Sequence, residues 1–278
     1  MKTTIASAFP HFSNPPLNID DYIDVVRRSR NTVTFAGFSA LRLMSFPELR
    51  TKRADSTSLQ VCTAQQGKRT RLRNVTFLYW TQPFTTSVIV MPEESILYVD
   101  PVTAILQALR DLDEIEAVAL LDTIISRNAH YRDLNLADLE AAICGPTRFK
   151  GKALGKKALK HCREGTDSLM ESRWRMNMVK SHLPCPEVNY RIQHPVTQEL
   201  WFADLAYPEL KIAIEYQGQE FHTTKEALIR DSRKISALQG LNWNVITVTA
   251  EDMMNDSAWQ RFVDTLQAVI ASKKAQLR

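Results

Sequence analysis

An α+β fold is predicted by three features of the chain. Short β-rich runs cluster between Ser58 and Val90, and helical periodicity dominates from Pro101 to Cys162. The last third then runs helix, three strands, helix, strand and closing helix. At 278 residues the chain has room for one large domain or two modest ones. Hydrophobic residues make up 44% and charged residues 24%, which excludes fibrous and low-complexity classes.

The elements follow in order. The first 18 residues carry Pro10, Pro15 and Pro16 and read as a mobile arm. Asp20–Arg30 reads as a short helix, with Tyr22, Ile23, Val25 and Val26 set among charges. Phe38–Phe46 reads as a second, stopped near Pro47. Leu59–Thr63, Val75–Tyr79 and Ser87–Met91 read as strands of a small antiparallel sheet, the first two joined by a turn at Gln65–Lys68. Pro101 opens a helix over Val102–Leu112. Further helices cover Glu114–Ser126, Leu134–Ile143 (ended by Gly145-Pro146) and Ala153–Cys162.

The last third starts with a helix over Ser168–His182, broken at Leu183-Pro184-Cys185-Pro186. Strands are expected over Val188–Gln193, Leu200–Ala206 and Lys211–Gln217. A helix over Thr224–Gln239 stops at Gly240, and strand Trp243–Thr249 and helix Ala258–Ser272 close the chain. The expected organisation is an arm (1–18), an N-terminal region (19–145), a basic linker or helix (146–165) and a C-terminal domain (166–278).

Targeting signals are not legible. The opening decapeptide lacks the apolar core of a secretory signal. No stretch reaches the about 18 apolar residues of a membrane span. Cys62, Cys144, Cys162 and Cys185 form no CxxC pair, which disfavours a zinc ribbon. Four scattered cysteines fit a reducing cytoplasm.

The formal charge of +4 is unevenly spread. Residues 1–145 hold 15 basic and 16 acidic side chains, residues 171–278 hold 13 of each, and residues 146–170 hold 7 and 2. The excess therefore sits in one segment containing Arg148, Lys150, Lys152, Lys156, Lys157, Lys160 and Arg163. Such a run pairs with phosphates, or forms a solvated linker or helix face. Lys68, Arg69, Arg71 and Arg73 make a second cationic cluster.

The chemistry concentrates in Trp201-Phe-Ala-Asp204-Leu-Ala-Tyr207-Pro208-Glu209-Leu-Lys211-Ile-Ala-Ile-Glu215-Tyr-Gln217-Gly218. Side chains alternate along a strand, so Glu215 and Gln217 share one face and Ile212, Ile214 and Tyr216 the other. A turn at Pro208-Glu209 puts Asp204 opposite the stretch Leu210–Glu215, so the two carboxylates can lie side by side. Paired carboxylates repel and raise one another's pKa, which a divalent cation relieves. Hard oxygen ligands select Mg²⁺ or Mn²⁺. Such sites serve phosphoryl transfer. Glu171 opens the preceding helix as a third acid.

Glu171-Ser-Arg173, Ala203-Asp204-Leu205, Ile214-Glu215-Tyr216-Gln217-Gly218 with His222, Arg230-Asp231-Ser-Arg233 and Leu238 to Ile246 together resemble the PD-(D/E)xK nuclease superfamily. More narrowly, residues 165–275 look like a bacterial domain family related to very-short-patch-repair endonucleases. The resemblance implies a restriction-endonuclease-like mixed sheet flanked by helices and metal-dependent DNA hydrolysis. It implies that Asp204 and Glu215 bind the metal and that Glu171 is an accessory acid. His222 would be a general acid/base or a phosphate contact. Arg173, Arg230, Arg233 and Lys234 would lie near the DNA. Gln217 stands where the superfamily usually has lysine, and Lys234 or Arg230 is then the candidate cation. Relatives that cut both strands act as pairs, which leaves a homodimer open.

The N-terminal region loosely resembles the winged-helix modules of abortive-infection antitoxins. That resemblance implies phosphate contacts by Arg27, Arg28 and Arg30, and by Lys68, Arg69, Arg71 and Arg73 on a wing hairpin. Two functions follow as expectations: a cytoplasmic DNA endonuclease in repair or defence, or a non-catalytic DNA-binding regulator built on the same scaffold.

Overall fold

A computed structural model describes residues 18–29, 31–51, 58–64, 72–126, 134–217 and 225–277. Residues 1–17 of the expected arm, Arg30, the Gln65–Lys68 turn, Arg69, Arg71, Gly218 and His222 lie outside the described residues. The chain divides into two units. One comprises residues 1–121 and 131–162, the other 122–130 and 163–278. The fold class is α+β, with helices and two mixed sheets. Among the described residues no helix is long and apolar enough to cross a membrane.

The first unit opens with helix α1 (Ile19–Arg28). Asp20 and Asp21 sit in its first turn and Arg27 and Arg28 in its last, matching the helix dipole. Its buried stripe of Ile19, Tyr22 and Val25 packs with Phe35 of β1 (Thr34–Phe35), Leu43 of α2 (Gly37–Leu43), and Leu59 and Val61 of β2 (Leu59–Thr63). Strands β3 (Val75–Tyr79), β4 (Thr86–Val90) and β5 (Ser95–Val99) follow. The sheet order is β3-β2-β1-β5-β4.

This sheet is mixed, not antiparallel as expected. β2 pairs with β3 in parallel, from Leu59↔Val75 to Thr63↔Tyr79, and β1 pairs with β5 in parallel. A tight turn cannot join parallel neighbours, so β2 and β3 do not form the expected wing hairpin. Alternation along a strand assigns faces and carries no information on direction, which is why the expectation failed. The two-residue β1 at the sheet centre is too short to leave a pattern.

Helix α3 (Pro101–Ala108) has Pro at its first turn, and Asp100 caps Thr103 N at 2.9 Å. Helix α4 (Glu114–Ile124) buries Ala117 to Leu121 continuously and so has no polar stripe in its middle. Helix α5 (Leu136–Cys144) starts in an Asn135/Asp138 capping box. The basic segment is built in. It forms α6 (Lys152–Leu159), counted with the first unit, and Gly155 packs where a Cβ would sit 3.0 Å from Ile143 and Leu109 side chains.

The second unit contains α7 (Leu169–Lys180), β6 (Glu187–Gln193), β7 (Leu200–Tyr207), a 3₁₀ turn at Pro208–Leu210 and β8 (Ile212–Gln217). It ends with α8 (Lys225–Gly240), β9 (Asn244–Thr249), α9 (Ala250–Met254) and α10 (Asp256–Gln276). The order expected from sequence is observed, with α9 added. The sheet runs β6-β7-β8-β9, antiparallel up to β8, and α8 provides the crossover to parallel β9. Leu205, Tyr207, Ile212, Ile214 and Val248 pack with Trp174 and Met178 of α7 and Phe262, Leu266 and Ile270 of α10. Ala206 and Ala213 belong to a second cluster, with Leu238 of α8 and Trp243.

Candidate active site

Strand β7 slips its alternation at Asp204. Ala203 and Leu205, two residues apart, pack in different clusters, whereas Ala203 and Ala206, three apart, share one. Across the β6–β7 ladder, Asn189 has a positive φ of 48° and falls between the pairs Val188↔Leu205 and Tyr190↔Ala203. The β7–β8 ladder ends at Leu205↔Ile214. One step beyond it, Asp204 Oδ2 accepts the backbone N–H of Tyr216 at 2.8 Å, so a side chain stands in for a ladder acceptor. The same register puts Glu215 beside Asp204, at one end of the range expected from sequence.

Glu215 is buried, at 7% exposure. Its Oε2 accepts a hydrogen bond from Lys234 Nζ on α8, and that ammonium lies 3.9 Å from Asp204 Oδ1. Lys234 thus bridges the dyad. Glu215 Oε1 is buried with no hydrogen-bond partner among the described residues. Burial raises the Glu215 carboxyl above its ordinary range, and the charge of Asp204 raises it further against the pull of Lys234. Burial also raises Asp204, opposed by Lys234 and the Tyr216 N–H. Asp231, one turn before Lys234 on α8, adds repulsion to both.

Glu171 belongs to the start of α7. Ser168 caps the helix, receiving Glu171 N at 3.2 Å, and Glu171 accepts from Ser168 Oγ at 2.9 Å and from Asp167 N at 3.0 Å. This is the reciprocal logic of a capping box. Burial, with the charge of Asp204, pushes its carboxyl up to about 8.

Hard oxygen donors, a charge deficit and an unpartnered buried oxygen on Glu215 fit a divalent cation. Among the described residues no three or more His, Cys, Asp and Glu side chains converge to hold one. Asp204 and Glu215 are the two side chains that would hold such an ion.

The other candidates scatter. Gln217 is exposed at the end of β8, in register with Thr249 of β9. Arg230 and Arg233 are exposed on α8, and Arg73, Lys150 and Lys156 are exposed in the first unit. Four of the cations expected at DNA have partners within the chain, Lys157 at the surface and the others partly or fully buried. Lys152 donates to the carbonyls of Gly145 and Thr147, and Lys157 pairs with Glu114 at 2.8 Å. Arg173 is 7% exposed and reaches Met170 Sδ, and Lys234 is held by the dyad. A cation standing by itself in sequence has its partners elsewhere in the chain, and these are the partners. The bridging role of Lys234 had one sequence signal. It lies one turn before Leu238, which packs under the sheet, so both project from the same side of α8.

Two uncharacterised proteins from two strains of Mycobacterium tuberculosis are each 27% identical to this chain over 156 residues. The match covers 56% of this chain and 56% of each relative, so the chain spans just over half the length of the curated relatives it matches. No protein-family profile and no solved structure matches.

Proposed function

We propose that the second unit hydrolyses phosphodiester bonds of DNA with a divalent cation, Mg²⁺ or Mn²⁺, in the manner of the PD-(D/E)xK nucleases it resembles. The observation that carries the reading is the Asp204–Glu215 pair bridged by Lys234, with one Glu215 oxygen buried and unpartnered. The helix, three-strand, helix, strand order around that pair supports it. The cation supplies an activated water and stabilises charge on the phosphate. Asp204 and Glu215 hold it. Lys234 gives the site the positive charge that Gln217 cannot, and from α8 its ammonium orients a water near the dyad. Glu171 sets the start of α7, where burial and the charge of Asp204 raise its carboxyl.

Cys62, Cys144, Cys162 and Cys185 are thiols rather than disulfides, which fits a reducing compartment such as the cytoplasm. A second reading is a DNA-binding regulator without catalysis. It is favoured by Gln217, which is exposed where the superfamily usually places a lysine.

The test is cleavage of supercoiled, linear and single-stranded DNA with Mg²⁺, Mn²⁺ or EDTA. Metal-dependent cleavage is expected, and Asp204→Ala, Glu215→Ala and Lys234→Ala each reduce it by at least about 100-fold. Salt-sensitive binding by a wild-type chain that never cleaves would instead favour the regulator.

A further inference from the structure

We infer that Asn189 is a positioning residue that aims the Asp204 carboxylate at the cation site, an inference that rests on the proposed cation-dependent chemistry. Asn189 lies inside β6 on the rung of Asp204, since Val188 pairs with Leu205 and Tyr190 with Ala203. Its φ of 48° is left-handed, a conformation foreign to a strand that Asn adopts more readily than most side chains.

The consequence is visible on both strands. On a regular strand, side chains two residues apart share a face. Val188 and Leu205 pack in the cluster of Trp174 on α7, whereas Tyr190 and Ala203 pack in the cluster of Leu238 on α8. β6 and β7 therefore change faces together, at the one rung that holds Asn189 and Asp204. At that crossover Asp204 Oδ2 accepts the Tyr216 N–H of β8 at 2.8 Å. A local break in a ladder re-aims a side chain in this way.

The break is held by the Asn189 amide. Its Nδ2 donates to the Gly165 carbonyl at 3.0 Å and to Asp167 Oδ2. Asp167 N in turn donates to Glu171 Oε2 at 3.0 Å. One side chain thus ties the Asp204 rung to the loop that opens α7. A left-handed residue inside a strand persists only where its surroundings fix it, and this amide supplies the fixing. Partners that orient a ligand carboxylate set cation affinity without touching the ion.

The experiment is Mn²⁺ binding by the full chain, read from the electron paramagnetic resonance signal of free Mn²⁺, with a urea midpoint for each variant. Asp204→Ala is expected to abolish tight binding. Asn189→Gly keeps the left-handed backbone and deletes the amide, and is expected to weaken Mn²⁺ binding about tenfold while moving the midpoint little. Asn189→Asp sets a carboxylate against Asp167 and is expected to weaken binding at least as much. Asp167→Asn leaves an acceptor for the Asn189 amide and is expected to stay within about threefold of wild type. Raising Mn²⁺ restores cleavage by Asn189→Gly, because the loss is one of affinity. Wild-type Mn²⁺ affinity in Asn189→Gly and Asn189→Asp overturns the inference. So does weakening that only accompanies a collapsed urea midpoint, which assigns Asn189 to the fold alone. The two readings fail separately. Mn²⁺ binding and cleavage that need Asp204 and are indifferent to Asn189 leave the nuclease and remove the positioning role. Asn189-dependent Mn²⁺ binding without cleavage of any DNA does the reverse, and a wild-type chain that binds no Mn²⁺ removes both.

Discussion

Two clusters of buried charge lie in the second unit, and they are built on opposite principles. Asp122 and Arg175 are both fully buried. Asp122 Oδ2 accepts from Arg175 Nη2 at 2.6 Å and Ser172 Oγ at 2.7 Å, and Oδ1 accepts from Arg163 N at 2.9 Å. One charge meets one charge, and both oxygens are used. At the candidate site two carboxylates share one lysine, a third acid lies nearby, and one oxygen has no partner. The side chains of Asp204 and Lys234 are 28% and 20% exposed, so solvent and solutes reach them. A charge buried for the fold is matched and dry. The Asp204–Glu215 pair is left in charge deficit and within reach of solvent.

The largest effect that sharpens this contrast is on stability. Asp122→Ala strands the Arg175 guanidinium and is expected to cost about 3–5 kcal/mol. Glu215→Gln removes an under-compensated charge and is expected to cost less than about 1 kcal/mol, or to stabilise. Urea midpoints measured at pH 7 decide it. Equal losses in the two variants would erase the distinction between the clusters.

The next effect is a pH dependence. Glu171 has an ordinary value of 4.5 and is pushed up to about 8 in the fold. Between those values the folded chain holds a proton that the unfolded chain has released. Stability is therefore fully present below pH 4.5, falls as pH rises through that window and levels off above it. Glu171→Gln keeps the shape and removes the titration. It is expected to match wild type at pH 4 and to be more stable at pH 8 by on the order of 2 kcal/mol. Parallel pH curves for the two proteins would show that Glu171 ionises normally.

Much of this contrast is written in the sequence, but only along single elements. The strands around Asp204 and Glu215 follow from β-rich runs and a Pro208-Glu209 turn, and hairpin arithmetic puts Asp204 opposite Leu210–Glu215, a range whose end is the observed neighbour. The order of elements in the second unit is equally plain, because every change of period up to β9 falls at a Gly or Pro. Lys234 is harder, since it reaches Glu215 from 19 residues away through a crossover that no periodicity describes. The slip at Asp204 is harder still, because it needs Asn189 on a different strand. In the first unit the parallel pairing of β2 and β3 left no mark, as strand direction is a property of the connection.

The smallest effect carries the same rule to the basic segment. Lys152 and Lys156 are equal in the sequence, one helical turn apart. Lys152 donates to the carbonyls of Gly145 and Thr147 just past the end of α5, where an orphan acceptor costs stability, whereas Lys156 is exposed. Lys152→Met is expected to lower stability by about 1 kcal/mol, and Lys156→Met to change it by less than about 0.5 kcal/mol. DNA binding should show the opposite order. Lys156→Met reduces the slope of log affinity against log salt by about one, and Lys152→Met leaves it unchanged. If Lys152→Met moves the salt slope and spares the denaturant midpoint, its ammonium serves a phosphate instead of the α5 carbonyls. The rule that matched charges serve the fold would then fail at the place where both partners are most clearly defined.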